Sequence, residues 1–181
     1  WLHCSVNILD LTHAEGFRRI TGGEVGINTI MTEHVWEHLS LSEAIVAASN
    51  CFDALSPGGF LRIAVPDYNR ALYHDSGRSI LLSQDSERLP DSERMDVLRS
   101  SGVLSKDIED EHLLHWSVCS LTEVLVAAGF QRSDISPVEY TDSFGSTVIS
   151  NWKYSDGPIE RSSKGTLGRP SSLIIDAKKP I

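Results

Sequence analysis

Basic residues are scarce in this chain: 16 lysines and arginines stand against 25 aspartates and glutamates over 181 residues, for a net charge of -9. Polyanion recognition relies on clustered cations that displace counterions, so a nucleic-acid partner is not expected. The only adjacent basic pairs are Arg18-Arg19 and Lys178-Lys179, which read as solvated edges. Cysteine is also sparse. Cys4, Cys51 and Cys119 are odd in number and lack CxxC spacing, which points away from a disulfide framework or zinc knuckle and toward a reducing, cytoplasmic compartment. No run approaches the roughly 20 apolar residues of a membrane helix, and no basic-then-apolar leader opens the chain. A soluble protein with no membrane partner is expected.

The sequence contains enough apolar material, 40% of its residues, for one ordinary core. The reading is a single domain over 1–181. The stretch from Thr29 to Asp67 organises it: an apolar strand, the pair Glu33-His34 at its tip, a helix, a Pro57-Gly58-Gly59 turn, and a second apolar strand closing on Pro66-Asp67. This is a complete strand-helix-strand unit of a parallel sheet, with its polar residues where the carboxyl ends of strands open into a ligand crevice.

Elsewhere, Ser5 to Leu11 is a short apolar run ending near an acid, consistent with a strand whose tip carries Asp10. A helix cap or Asx-turn from Asp10 to His13 reads equally well. Val25 to Thr32 suits a strand buried on both faces. Ser40 and Glu43 form a capping box, and Leu41, Ala44, Ile45, Ala48, Phe52 and Leu55 recur at helical spacing up to the Pro-Gly-Gly stop. Phe60 to Val65 is the following strand, interrupted by Arg62. A second capped helix is expected from Ser120, with Glu123 three residues on, to Gly129. Ile135 to Tyr140 and Leu173 to Ala177 read as the last two strands, with a loop over Ser155 to Pro170. Tyr68 to Asp110 gives little pattern beyond a helix around Asp91 to Leu98, and 71–110 is expected to be an insertion or lid.

The motifs Glu33-His34-Val35-Trp36-Glu37-His38-Leu39 and Arg62-Ile63-Ala64-Val65-Pro66-Asp67 resemble those of a small group of predicted class I S-adenosylmethionine-dependent methyltransferases, whose fourth strand ends in EHVxEHL and fifth in RIAVPD. The likeness continues through Glu111-His112, the Ala127-Ala128-Gly129-Phe130 end of the second helix, Asp156 to Ser162, and Ser172 to Pro180. It implies an α/β, Rossmann-like fold with a mostly parallel sheet, helices on both faces and S-adenosylmethionine as cofactor. In such folds a glycine-rich turn follows the first strand, and none precedes the matching region here. Gly22-Gly23-Glu24-Val25-Gly26 leads into a strand rather than a helix and reads as a plain turn. Because the sequence begins at Trp1, the expectation is a chain incomplete at its amino end, with the first strand or strands missing.

The resemblance implies methyl transfer to a small-molecule acceptor. His34 is the candidate base, since an imidazole titrates near neutrality, with Glu33 and Asp67 beside it as further catalytic candidates. Asp10, Leu11, Glu33 and His34 are the cofactor-binding candidates, and Tyr68 and His112 the substrate-binding ones. Plainer roles stand beside these: Pro66-Asp67 as a turn initiator, Glu37 and His38 as residues that orient neighbours, and His112 as a packed histidine beside Trp116.

Two other readings compete. His34-Val-Trp-Glu37-His38 spells the HxxEH pattern of zinc hydrolases, which needs both histidines on one helical face; His112, His115 and Cys119 also fall at metal-like spacing, but a helix cap at Ser120 breaks the continuity they would need, and no metal is expected. The other is a catalytically inactive methyltransferase-like module that serves as a partner subunit or homo-oligomer, filling its sheet from another chain.

Overall fold

The computed structural model describes residues 9–23, 26–67, 69, 113–114, 116–142, 144–150 and 172–181. The expected insertion at 71–110, the helix at Asp91 to Leu98, the loop at Ser155 to Pro170, and Tyr68, His112 and His115 lie outside them.

Five strands form one sheet, in the order β1-β2-β5-β3-β4: β1 (Ile27–Glu33), β2 (Leu55–Pro66), β3 (Ile135–Thr141), β4 (Thr147–Ile149) and β5 (Ser172–Lys178). The expected strand-helix-strand unit is present. β1 and β2 pair in parallel from Thr29↔Phe60 to Glu33↔Ala64 and are joined by α2 (Leu41–Ala54).

The sheet is mostly antiparallel, which corrects the expectation of a mostly parallel one: β2–β5, β5–β3 and β3–β4 all pair antiparallel. An apolar run such as Leu173-Ile174-Ile175 carries no direction of its own. Direction follows from whether the incoming connection crosses over, and antiparallel neighbours need no crossover helix. Since β5 opposes both β2 and β3, strands β1, β2 and β3 run the same way and their carboxyl ends share one edge.

α2 begins as the capping box predicts: Ser40 Oγ accepts from the Glu43 amide, while the Glu43 carboxylate accepts from the Ser40 amide at 2.8 Å and hydroxyl at 2.7 Å. Its buried face differs from the expected one. Ala44, Ala47, Ala48 and Cys51 are fully buried, whereas Leu41 and Ile45 are exposed, so small side chains bring the helix close to the sheet. Nor does Pro57-Gly58-Gly59 stop the helix, which ends at Ala54. The triplet lies inside β2, where a Cβ on Gly59 would come within 2.9 Å of the Ser56 carbonyl and 3.0 Å of the Ile27 carbonyl. Glycine is required there for backbone approach. The carbonyls left at the end of α2 are instead met from the chain's last residues, with Lys179 Nζ donating to Phe52 O at 2.7 Å and Leu55 O at 2.8 Å.

The second predicted helix, α3, spans Val118–Ala127 and is capped one turn earlier than expected, by Ser117 with Ser120 at its third position. Glu123 is thereby free to pair with Arg132 at 2.7 Å. The core joins Ala44, Ala48, Leu121 and Leu125 to Leu61, Ile63, Val65, Leu173 and Ile175, so α2 and α3 cover the same sheet face. Among the described residues the helices that pack on the sheet lie on this face. Alternate residues of β2 and β5 point the other way, where Ala64, Val138 and Ile174 cluster. β1 is fully buried only at Ile30 and Thr32, not on both faces.

At the amino end, the expected strand from Ser5 lies outside the described residues up to Ile8, and the Asx-turn that Asp10 offered is present. Asp10 Oδ1 accepts from the Thr12 amide at 2.9 Å and hydroxyl at 2.7 Å, leading into α1 (Ala14–Thr21). That helix closes on Gly22, at φ 68, and Gly23, at φ 85, in the plain turn the sequence implied.

Candidate functional site

The shared carboxyl edge of β1, β2 and β3 gathers the two motifs. β1 ends at Glu33, β2 runs into Asp67, β3 ends at Thr141, and the antiparallel β5 begins at the same edge, with Ser172 opposite Pro66. Carboxyl edges of this kind are where α/β sheets hold ligands.

His34 is the pivot. Its amide still donates to Ala64 O at 2.9 Å, extending the β1–β2 ladder, but its φ of 52 makes it the only non-glycine with positive φ among the described residues. The left-handed conformation turns the chain sharply off the strand, and for a non-glycine residue it costs about 1–2 kcal/mol. The turn directs the ring between two partners, with Nδ1 3.2 Å from Glu37 Oε1 and Nε2 3.1 Å from Ser172 Oγ.

Glu37 is only 1% exposed. A carboxylate so buried must be paired, and its Oε1 meets His34 at 3.2 Å and His38 Nε2 at 3.9 Å. Its Oε2 has no hydrogen-bond partner. The Glu37 carbonyl accepts from the amides of Leu113 at 2.7 Å and Leu114 at 3.1 Å, tying a distant segment to this turn. Trp36, fully buried, donates its indole N–H to Thr32 Oγ1 at 2.8 Å. The residues Trp36–His38 form one short 3-10 turn, and His34 precedes it with a left-handed backbone. The HxxEH pattern therefore has no continuous helix, and both histidines converge on the glutamate. Among the described residues no group of three His, Cys, Asp or Glu side chains is placed to hold a metal.

Asp67 is buried and bonded to backbone: Oδ2 accepts from the Thr141 amide at 2.6 Å and Oδ1 from the Asn69 amide at 3.0 Å. Asn69 Nδ2 in turn donates to the Thr141 carbonyl at 3.0 Å. These bonds tie the end of β2 to the end of β3, and the Asp67↔Trp116 bridge adds the approach to α3. Glu33 is half-buried at the strand tip, and its carboxylate has no hydrogen bond or ion pair among the described residues.

Among the described residues Asp10 and Leu11, the candidates at the amino end, share no hydrogen bond or ion pair with His34, Glu37 or Asp67. Thr12's hydroxyl and amide hold the Asp10 carboxyl below its usual range, and Asp10 lies close enough to Glu43, at the start of α2, to repel it. Leu11 is buried in the core, with its carbonyl accepting from Asn50 Nδ2 at 2.8 Å. Asp10 also lines a cavity of about 590 Å³ with His13, Glu15, Gly16, Arg18, Arg19 and Gly23, none of them from the motif cluster.

Two residues of the cluster had little signal in the sequence. Ser172 stands at the start of an apolar run, and only the antiparallel placement of β5 brings it to His34. Thr141 enters through its backbone amide, which no side-chain pattern reveals.

No protein-family model matches the sequence, and no curated protein sequence matches it. Solved structures do. A SAM-dependent methyltransferase from Archaeoglobus fulgidus is similar over 90% of this chain and 64% of its own, at 14% identity and TM-score 0.47. An O-methyltransferase family protein from Burkholderia thailandensis is similar over 95% of this chain and 34% of its own, at 12% identity and TM-score 0.46. A possible exported protein from Bordetella parapertussis is similar over 86% and 40%, at 15% identity and TM-score 0.45. The chain thus spans less than two thirds of each of them.

Proposed function

We propose that this chain is a Rossmann-like domain of an S-adenosylmethionine-dependent methyltransferase acting on a small-molecule acceptor in the cytoplasm. The observation that carries the reading is the convergence, at one carboxyl edge, of both motif ends: Glu33 and His34 from β1, Glu37 from the turn that follows, and Asp67 from β2.

The donor set suits the cofactor's cationic end. Among the described residues the Glu33 carboxylate, half-buried at the strand tip, is an acceptor without a hydrogen bond or ion pair. Such an acceptor fits an ammonium or ribose hydroxyls, and Glu33 is the residue assigned to hold them. The cofactor supplies an electrophilic methyl group to the acceptor. The chain's own contribution is alignment, exclusion of water and proton removal. His34 serves as the base, the buried Trp36 and Trp116 next to the motif ends help exclude water, and Asp67 fixes the spacing of β2 and β3 around the acceptor.

Calorimetric titration of S-adenosylmethionine and S-adenosylhomocysteine into the protein expressed from its full reading frame tests this. Binding that weakens at least tenfold in Glu33→Gln supports the reading. No binding of either compound overturns it in favour of the inactive partner module.

A further inference from the structure

Ser172, His34 and Glu37 are connected end to end, and the connection has a direction. Glu37 is buried and, as a carboxylate, only accepts hydrogen bonds; its Oε1 lies 3.2 Å from Nδ1, so Nδ1 carries the proton. In the neutral ring that leaves Nε2 with a lone pair, 3.1 Å from the Ser172 hydroxyl, which then donates to it. Each group is anchored independently: Glu37 through its carbonyl to Leu113 and Leu114, His34 through its amide to Ala64, and Ser172 through its register with Pro66.

We propose that Glu37, His34 and Ser172 form a proton relay, with Ser172 as its outer end, and that the acceptor it serves is a weakly acidic hydroxyl such as a phenol. The class follows from the chemistry. A carboxylate acceptor has no proton to lose, and a free amine attacks through its lone pair and sheds a proton afterwards. A hydroxyl gains its nucleophilicity by losing a proton as it attacks, which is where a positioned base helps most. The acceptor proton passes to Ser172 Oγ as the serine's own proton passes to His34 Nε2, leaving an imidazolium beside the ionised Glu37. Glu37 remains unprotonated and acts as the positioning residue that fixes the tautomer, the division of labour of an acid-histidine-hydroxyl triad. The left-handed backbone of His34 is consistent with strain held at a functional position.

The acceptor class rests on the methyltransferase reading, whereas the relay's geometry does not, and nitrogen-15 NMR of the histidine-labelled full-length protein separates them. The expected result is a His34 ring protonated at Nδ1 and bare at Nε2, mixed tautomers in Glu37→Gln, and an Nε2 resonance that shifts on titration with phenol. Ser172→Ala should raise the phenol concentration needed at least tenfold and Ser172→Thr should restore it. A ring protonated at Nε2, or a phenol response indifferent to Ser172→Ala, overturns the relay. Intact tautomer and phenol responses in a protein that fails to bind S-adenosylmethionine would support the relay and sink the methyltransferase reading alone.

Discussion

Arg62 and Asp176 face each other across β2 and β5 as a buried bidentate pair, Nε to Oδ1 and Nη2 to Oδ2 both at 2.6 Å, with side chains 0% and 1% exposed. The arginine that interrupts the apolar run of β2 therefore sits in register with the one acid of β5. Removing one partner of a buried pair takes away the bidentate bonds that compensate the other charge. Asp176→Asn is expected to cost about 3–5 kcal/mol in denaturant unfolding. The double change Arg62→Met with Asp176→Leu should cost much less, and equal losses would show that the pair's worth lies elsewhere.

Asp67 presents a choice between clamp and catalyst. Its two carboxylate oxygens accept from the Thr141 and Asn69 amides. Truncating it to Ala leaves a buried Thr141 amide unsatisfied, at about 1–3 kcal/mol. Thermal unfolding should register that loss in Asp67→Ala. Unchanged stability with abolished turnover would move Asp67 from clamp to chemistry.

The Ser40-Glu43 box sets an acid limit at the start of α2. Ser40's hydroxyl, then its amide, hold the Glu43 carboxyl below its ordinary 4.5. A carboxyl lowered on folding stabilises the protein above its unfolded value, and that contribution disappears as pH falls through the folded one. Thr12 acts on Asp10 in the same direction. Ser40→Ala is expected to lower stability at neutral pH by about 1 kcal/mol and to flatten the fall in melting temperature below pH 4.5. An unchanged acid slope would remove the box from that account.

The two described thiols should behave oppositely. Burial pushes Cys51 up to about 12 from 9.0, whereas Cys119 is exposed. Iodoacetamide at pH 8 should alkylate Cys119 in the native protein and reach Cys51 only on unfolding, as read by peptide mass spectrometry. Because the folded thiol holds its proton longer than the unfolded one, Cys51 contributes stability that is lost as pH rises from about 9.0 toward 12. A Cys51→Ala variant should lose that alkaline slope.

The sequence was most legible where local chemistry decides structure. The α2 capping box is made by residues three apart, and it forms as read. The β1-α2-β2 unit follows from apolar runs separated by a helical period. Local reading failed where a competing local solution existed. Ser117 could cap α3 as well as Ser120, and tertiary packing selected the earlier start. Leu41 and Ile45 fit the helical period, but the sheet accepted the smaller face of Ala44, Ala47, Ala48 and Cys51.

By itself the sequence determined the capped start of α2, the parallel pair at the centre of the two motifs, and the placement of Glu33, His34 and Asp67 at strand ends, because each rests on spacing within a few residues; α1 and β4 were not legible in it. Tertiary structure alone decided strand direction, and with it the site's composition. In a parallel β5 the amino-terminal Ser172 would lie at the far edge of the sheet; antiparallel pairing with β2 reverses the strand and brings that hydroxyl to 3.1 Å from His34 Nε2. The buried match of Arg62 with Asp176, 114 positions apart, was decided in the same way. Pairing between distant strands depends on how the chain returns to the sheet, and nothing within either strand encodes that path.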